Sequence, residues 1–213
     1  DLLAAGGSIK LLCLGTSNYN SPNFQDPFTG GTWIGQSMKE LERLFSGHIV
    51  LTSNGYNGLN AIEGGLAKID AALAQGKPDV VVTGYAINDA IMPFSAAATT
   101  DALEGMISRI RACNPDAEII FHNFMSPHDV PEYPSRANRP HHDEALALYR
   151  KMAQSHGFIN IESVDPWEEL RQRDLDFYLS LCTEGVHPTA EGNKLITTPL
   201  FLRGLGLDIP HTS

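Results

Sequence analysis

Apolar positions along this chain fall into two alternating kinds of segment. Short, mostly apolar runs occupy positions 9–14 (IKLLCL), 49–51, 80–83, 118–124 (EIIFHNF) and 158–161. Each is too short for a helix, rich in β-branched or large apolar residues, and closed by Gly, Pro, Asn or Ser, as a buried strand is. Between them lie longer segments with apolar residues three and four apart: 33–45 (Ile34, Met38, Leu41, Leu44, Phe45), 60–73, 100–112, 141–156 and 189–202. That spacing predicts helices. Gly76-Lys77-Pro78, Asn114-Pro115 and Gly157 supply the stops. The strands do not alternate apolar with polar, so both of their faces need cover. That is the signature of a parallel sheet between helices. The pattern predicts an α/β fold in one domain spanning 1–213, with a five-stranded parallel sheet.

Two connections are long: 18–32, and 126–140 with four prolines. Loops of that length in a compact domain usually carry function or motion. In a doubly wound sheet the ligand crevice lies beyond the C-terminal ends of the strands. The polar residues there are therefore the candidates. The first strand runs into Gly15-Thr16-Ser17-Asn18, which reads as a plain turn, an anion-gripping loop or a nucleophile loop. The second runs into Ser53-Asn54-Gly55-Tyr56-Asn57-Gly58, whose glycines permit unusual backbone angles. The third runs into Gly84-Tyr85-Ala86-Ile87-Asn88-Asp89, where Asn88 is either a helix cap or an amide donor at the crevice. Glu184-Gly185-Val186-His187-Pro188 precedes the last helix. An acid three residues ahead of a histidine can hold one ring nitrogen and leave the other free to act as a base.

Composition narrows the classes. The chain is 42% apolar, 19% charged and carries a net charge of −10, so it is neither disordered nor a coiled coil. No basic patch is visible, so neither nucleic acid nor an anionic membrane surface is an expected partner. There is no GxGxxG, P-loop or GxSxG elbow, and dinucleotide, nucleotide and α/β-hydrolase chemistry lose support. Cys13, Cys113 and Cys182 are too scattered for a disulfide framework or a zinc site. His122, His128, His141 and His142 show no ligand spacing, so no metal and no cofactor are expected. The first residue is Asp1 rather than Met, which either a removed leader or a cut within a longer chain would give; the compartment stays open, with a lean to a secreted or periplasmic setting.

Taken together, a Ser after the first strand, a Gly after the second, an Asn after the third and a late acid–His pair resemble the SGNH hydrolases, the GDSL esterase/lipase family. LCLGTSN, SNGYNGLNAIEGGLAKID, VVVTGYAINDA and TEGVHPTAEGNKLI resemble its sequence blocks in their order. The resemblance implies a flavodoxin-like three-layer α/β/α sandwich. It implies Ser17 as nucleophile, His187 as general base and Glu184 as the acid that orients it. Backbone N–H groups of Ser17 and Gly58 and the side chain of Asn88 would form the oxyanion hole, with Gly58 preferred over Gly55 because it opens the second helix. Two positions depart from the family pattern: Thr16 replaces the usual Asp before the nucleophile, and Glu184 replaces the usual Asp three before the histidine. Asp89, Asp165 or a backbone carbonyl are the alternative orienters. Asn18, Tyr85 and His128 are candidate substrate contacts. Polar groups and aromatics in the two long loops suit a small ester or an acetylated saccharide, hence a carbohydrate O-acetyl esterase. A general short-chain esterase, a lipase or a thioesterase comes next. A binding module that has lost turnover is the rival from another class.

Overall fold

The computed structural model describes residues 3–19, 31–91, 93–130, 132–182 and 184–207. Five parallel strands form one sheet: β1 (Ser8–Thr16), β2 (His48–Tyr56), β3 (Val80–Gly84), β4 (Glu118–Asn123) and, late in the chain, the strand Ile159–Glu162. Their spatial order is β2, β1, β3, β4 and then Ile159–Glu162, so β1 lies beside both β2 and β3. The predicted α/β/α sandwich is what forms. Along β1, Leu12 and Leu14 enter one core and Leu11 and Cys13 the other. That two-sided burial is why the strand reads as a continuous apolar run.

On the first side pack a π-helical turn (Ala61–Leu66), α2 (Ile69–Leu73), α4 (Ala96–Cys113) and α5 (His142–His156). On the other pack α1 (Trp33–Leu44), α6 (Val164–Arg173), α7 (Leu175–Leu181) and α9 (Thr198–Gly204). A one-turn helix, α3 (Ala86–Asp89), follows β3 directly, and α8 (Ala190–Gly192) with a π-helical turn (Asn193–Thr197) leads into α9. The helix expected over 60–73 is thus two pieces. Asn60 caps the first by accepting from the N–H groups of Ile62 and Glu63, and Gly64-Gly65 weaken its continuation. Helices α6 and α7 follow the fifth strand where no periodic pattern was assigned. Strand β2 is longer than its apolar run because all nine of its residues pair with β1. The segment 126–140 is more than a loop: β5 (Asp129–Val130) and β6 (Tyr133–Pro134) pair as a small antiparallel ribbon. In chain order the strand Ile159–Glu162 is therefore β7, which lies beside β4 at one edge of the sheet.

His122 of β4 is fully buried, its ring centroid 4.4 Å from that of Trp33, 4.5 Å from Phe124 and 5.1 Å from Phe201. Neither ring nitrogen has a hydrogen-bond partner among the described residues. Burial without a partner pushes this imidazole down to about 3, and burial likewise pushes His142 down to about 4. In the unfolded chain both titrate near 6.5. As pH falls below 6.5, the unfolded chain takes up protons that the folded chain refuses, so stability falls toward acid pH. The slope is at most roughly 1.4 kcal/mol per pH unit for each histidine. Replacing His122 with Phe should therefore flatten the acid limb. Urea midpoints of the parent and His122→Phe, compared at about pH 5 and pH 7.5, should differ more between the two pH values in the parent. Equal differences would mean that His122 is not a source of acid sensitivity.

Candidate active site

Ser17 sits where β1 ends, on a single 3₁₀ turn, Ser17–Tyr19. The two residues after it pin that turn. Tyr19 folds back over Gly15, where a Cβ would stand 2.1 Å from the tyrosine ring, and its hydroxyl donates to the His122 carbonyl at 3.1 Å. The Asn18 carbonyl accepts the Trp33 indole N–H at 3.1 Å. Thr16 before it is fully buried. Only Ser17 of this stretch keeps partial exposure, so the sheet end presents one hydroxyl.

That hydroxyl lies 2.8 Å from His187 Nε2, and His187 Nδ1 lies 2.7 Å from Glu184 Oε2. An ionised carboxylate only accepts, so Nδ1 carries the proton and Nε2 is the lone pair facing Ser17. The turn that makes this possible contains Gly185 at φ +73°, and a Cβ there would lie 2.0 Å from the His128 carbonyl oxygen. The Gly185 carbonyl accepts the His128 N–H at 2.9 Å, and the buried Ser135 hydroxyl donates to the Glu184 carbonyl at 3.0 Å. The 126–140 segment thus braces the acid–His turn. Past it, Thr189 caps α8 by accepting the Gly192 N–H.

The other half of the site follows from strand register. Thr16 is opposite Tyr56 of β2, and Gly15 is opposite Gly84 of β3. The residues just beyond these ends, Ser17, Gly58 and Asn88, therefore emerge along one edge of the sheet. Gly58 adopts φ +72°, and its N–H has no hydrogen-bond partner among the described residues. Asn88 is buried and donates one amide hydrogen to the Leu59 carbonyl at 3.0 Å, which leaves its second hydrogen for another acceptor. Asp89 accepts the Ala61 N–H at 2.7 Å and the Tyr149 hydroxyl at 2.8 Å, while that tyrosine oxygen accepts the Tyr85 N–H at 3.2 Å. Asn88 and Asp89 together clamp the Gly58–Ala61 segment onto α3. Burial holds the Asp89 carboxyl up at about 7 against the two hydrogen bonds that pull it down.

Asp89 is thus committed to Ala61 and Tyr149 and makes no bond to His187 among the described residues. Asp165 lines a separate pocket and makes no bond to His187 among the described residues. Of the three candidate substrate contacts, Tyr85 is fully buried in the core and cannot reach a ligand. Its ring fills the space left by Gly64 and Gly65. Asn18 is nearly buried, because its place in the turn serves Trp33. Among the loop residues, Tyr19 is also buried, and Asn20, Asn23, Phe24 and Gln25 lie outside the described residues. His128 does line a pocket of about 510 Å³, together with Ser126, Asp129, Arg136, Asp165 and Arg171. Ser135 and Tyr149 support the site without any motif to flag them; only their partners in space do. No group of three or more His, Cys, Asp or Glu side chains suited to a metal occurs among the described residues.

A family model described as the GDSL-like lipase/acylhydrolase family matches residues 13–195. No curated sequence matches. Solved structures with the same fold include a two-domain esterase (CEX) active on acetylated mannans, with TM-score 0.75 and 14% identity over 98% of this chain and 53% of that one. This chain therefore spans about half of that esterase. An acetylxylan esterase, Axe2 from Geobacillus stearothermophilus, superposes with TM-score 0.73 at 19% identity over 95% of this chain and 97% of that one. A lipase/acylhydrolase from Enterococcus faecalis gives 0.70 at 18% identity over 92% and 95%. At such identities the likeness carries the fold.

The geometry at Gly185 makes a prediction. Gly185→Ala should cost roughly 1–3 kcal/mol, because the left-handed backbone and the His128 contact both resist a side chain. It should also loosen the Glu184–His187 pair. Urea unfolding reads the first effect and the downfield Nδ1 proton of His187 the second. A variant with parental stability and an unchanged proton signal would show that the turn tolerates a Cβ.

Proposed function

The chain belongs to the GDSL-like lipase/acylhydrolase family, a family of carboxylic ester hydrolases, and on that premise we propose that it is a serine esterase that removes small acyl groups, acetyl above all, from saccharides. The observation that carries the mechanism is the unbroken path Ser17 Oγ, His187 Nε2, His187 Nδ1, Glu184 Oε2, with contacts of 2.8 and 2.7 Å at its two hydrogen bonds. Ser17 Oγ attacks the ester carbonyl carbon while its proton passes to His187 Nε2. Glu184 stabilises the imidazolium so formed. Charge developing on the carbonyl oxygen meets the N–H groups of Ser17 and Gly58 and the second amide hydrogen of Asn88. The tetrahedral intermediate collapses, the C–O bond to the alcohol breaks, and His187 returns the proton to the leaving oxygen. Water then repeats the sequence on the acyl-enzyme and frees the acid.

The choice of saccharide rests on two supports. A neighbouring pocket, joined to the acid–His turn through the His128 backbone, is lined by Arg171, Asp165, Arg136 and the His128 ring, planar polar groups that suit hydroxyl-bearing ligands. Two structural neighbours act on acetylated mannans and acetylxylan. Acetate release from acetylated mannan and xylan, set against p-nitrophenyl esters of rising chain length, tests the choice. Faster turnover of the polysaccharides supports it; turnover of simple esters alone returns the protein to a general short-chain esterase.

Two variants test the roles. Ser17→Ala should remove nearly all turnover, since loss of a triad nucleophile leaves only binding and oxyanion effects, a drop of roughly 10⁶-fold in a well-studied protease. Activity above a few per cent of the parent in a folded Ser17→Ala protein would exclude it as nucleophile. Glu184→Gln should lower kcat by roughly 10–10³-fold, less than the roughly 10⁴ seen when a buried triad acid is neutralised. The reason is that the Glu184 side chain is 47% exposed, so water can partly replace it. An unchanged kcat would reduce the site to a Ser17–His187 dyad.

A further inference from the structure

We propose that Arg139 is a positioning residue that locks the oxyanion helix α3 to the acid–His turn, so that the two halves of the active site move as one body. The proposal rests on the esterase reading of Ser17 and His187. Arg139 is only 8% exposed, yet no carboxylate lies within ion-pair distance of it among the described residues. Burial lowers its guanidinium below the ordinary value, and Tyr133 nearby offsets only part of that. An unpaired buried charge is expensive, so its retention calls for a partner set that only a guanidinium satisfies.

The partners are two backbone carbonyls on opposite sides of the site. Arg139 Nε donates to the Ile87 carbonyl at 2.8 Å, and one terminal nitrogen donates to the Ser135 carbonyl at 3.0 Å. Ile87 immediately precedes Asn88. Helix α3 is one turn long, so its Ile87 carbonyl has no donor within the helix: the N–H of Ile91 goes to Asn88 and that of Ala90 to Ala86. Arg139 fills that vacancy. Ser135 in turn donates its hydroxyl to the Glu184 carbonyl at 3.0 Å, and the Glu184 side chain holds His187. The path from Ile87 through Arg139, Ser135 and Glu184 to His187 runs through four hydrogen bonds. Its two ends carry the Asn88 amide and the Nε2 lone pair. A planar fork with divergent donors spans two carbonyls; a lysine ammonium on its flexible stem does not hold both at fixed angles.

The experiment compares Arg139→Met, Arg139→Lys and Ser135→Ala with the parent. For each, kcat and KM on p-nitrophenyl acetate and the downfield Nδ1 proton of His187 are measured. Arg139→Met should lower kcat by roughly 10–100-fold, since displacement of a catalytic group by about 1 Å costs of that order, with KM changed less than about threefold. Its downfield proton should broaden or shift. Arg139→Lys should fall between, and added guanidinium ion at millimolar concentration should restore part of the loss in Arg139→Met. Ser135→Ala keeps the arginine and cuts the path one bond later; it should reproduce the proton change and serves if Arg139→Met does not fold. Parental kcat and an unchanged proton signal in folded Arg139→Met or Ser135→Ala would overturn the proposal. A KM that rises while kcat holds would also overturn it and make Arg139 a substrate contact. A parent without esterase activity would sink the functional reading, while the proton signal would still decide on the brace.

Discussion

Ser17 and His187 are 170 residues apart in the chain, and one hydrogen bond between them joins the two halves of the site. The first half is inexpensive to build. Strand β1 lies inside a parallel sheet, paired with β2 on one side and β3 on the other up to its last residues. The second half is an irregular turn with no ladder to hold it. It depends on contacts from elsewhere: the His128 backbone against Gly185, the Ser135 hydroxyl on the Glu184 carbonyl, and the Arg139 fork behind them. This is the reason a long proline-rich segment follows β4. The His128 backbone and the Ser135 and Arg139 side chains serve the turn, and other side chains of the segment line the neighbouring pocket.

The two departures from the family pattern have different physical weight. Thr16 is fully buried between strand and turn, and its hydroxyl faces the Asn18 N–H at 3.4 Å, a long contact. It acts on the shape of the turn. Glu184 is longer by a methylene than the usual aspartate, and the turn is set so that Oε2 still meets Nδ1 at 2.7 Å. Three other strong electrostatic features belong to the frame. The buried Asp89 carboxyl ties Ala61 to α3, the buried His122 sits among aromatics, and the bidentate Arg150–Glu162 pair joins α5 to the edge of the sheet.

Much of the fold was legible because burial on both faces makes strands into apolar runs, and burial on one face gives helices their spacing. Where neither condition held, legibility failed. The π-helical turn at Ala61–Leu66 interrupts the period, and α6 and α7, ten and seven residues long, are too short for apolar spacing to mark them. Within the site, strand ends, glycines and an acid three before a histidine mark Ser17, Gly58, Asn88, Glu184 and His187 only as candidates that plain turns and caps also explain; the resemblance of four sequence blocks in their order is what singles them out. Tyr85 misled for an equally physical reason: a tyrosine beside a strand end can turn inward as easily as outward, and here Gly64 and Gly65 make room for it inside. Tyr149, Ser135 and Arg139 are joined to the site by bonds to residues 49 to 64 positions away, and no local pattern marks such bonds.

In the proposed mechanism Ser17 carries the acyl group during turnover. The most direct measurement is peptide-level mass spectrometry after exposure to an alkyl phosphonate, which serine esterases trap as a stable mimic of the tetrahedral intermediate. The account predicts one phosphonyl adduct per chain, on Ser17, with its rate of formation falling in parallel with activity in Glu184→Gln. A native protein that turns over esters yet carries no adduct, or carries it on another residue while Ser17 stays unmodified, would contradict it.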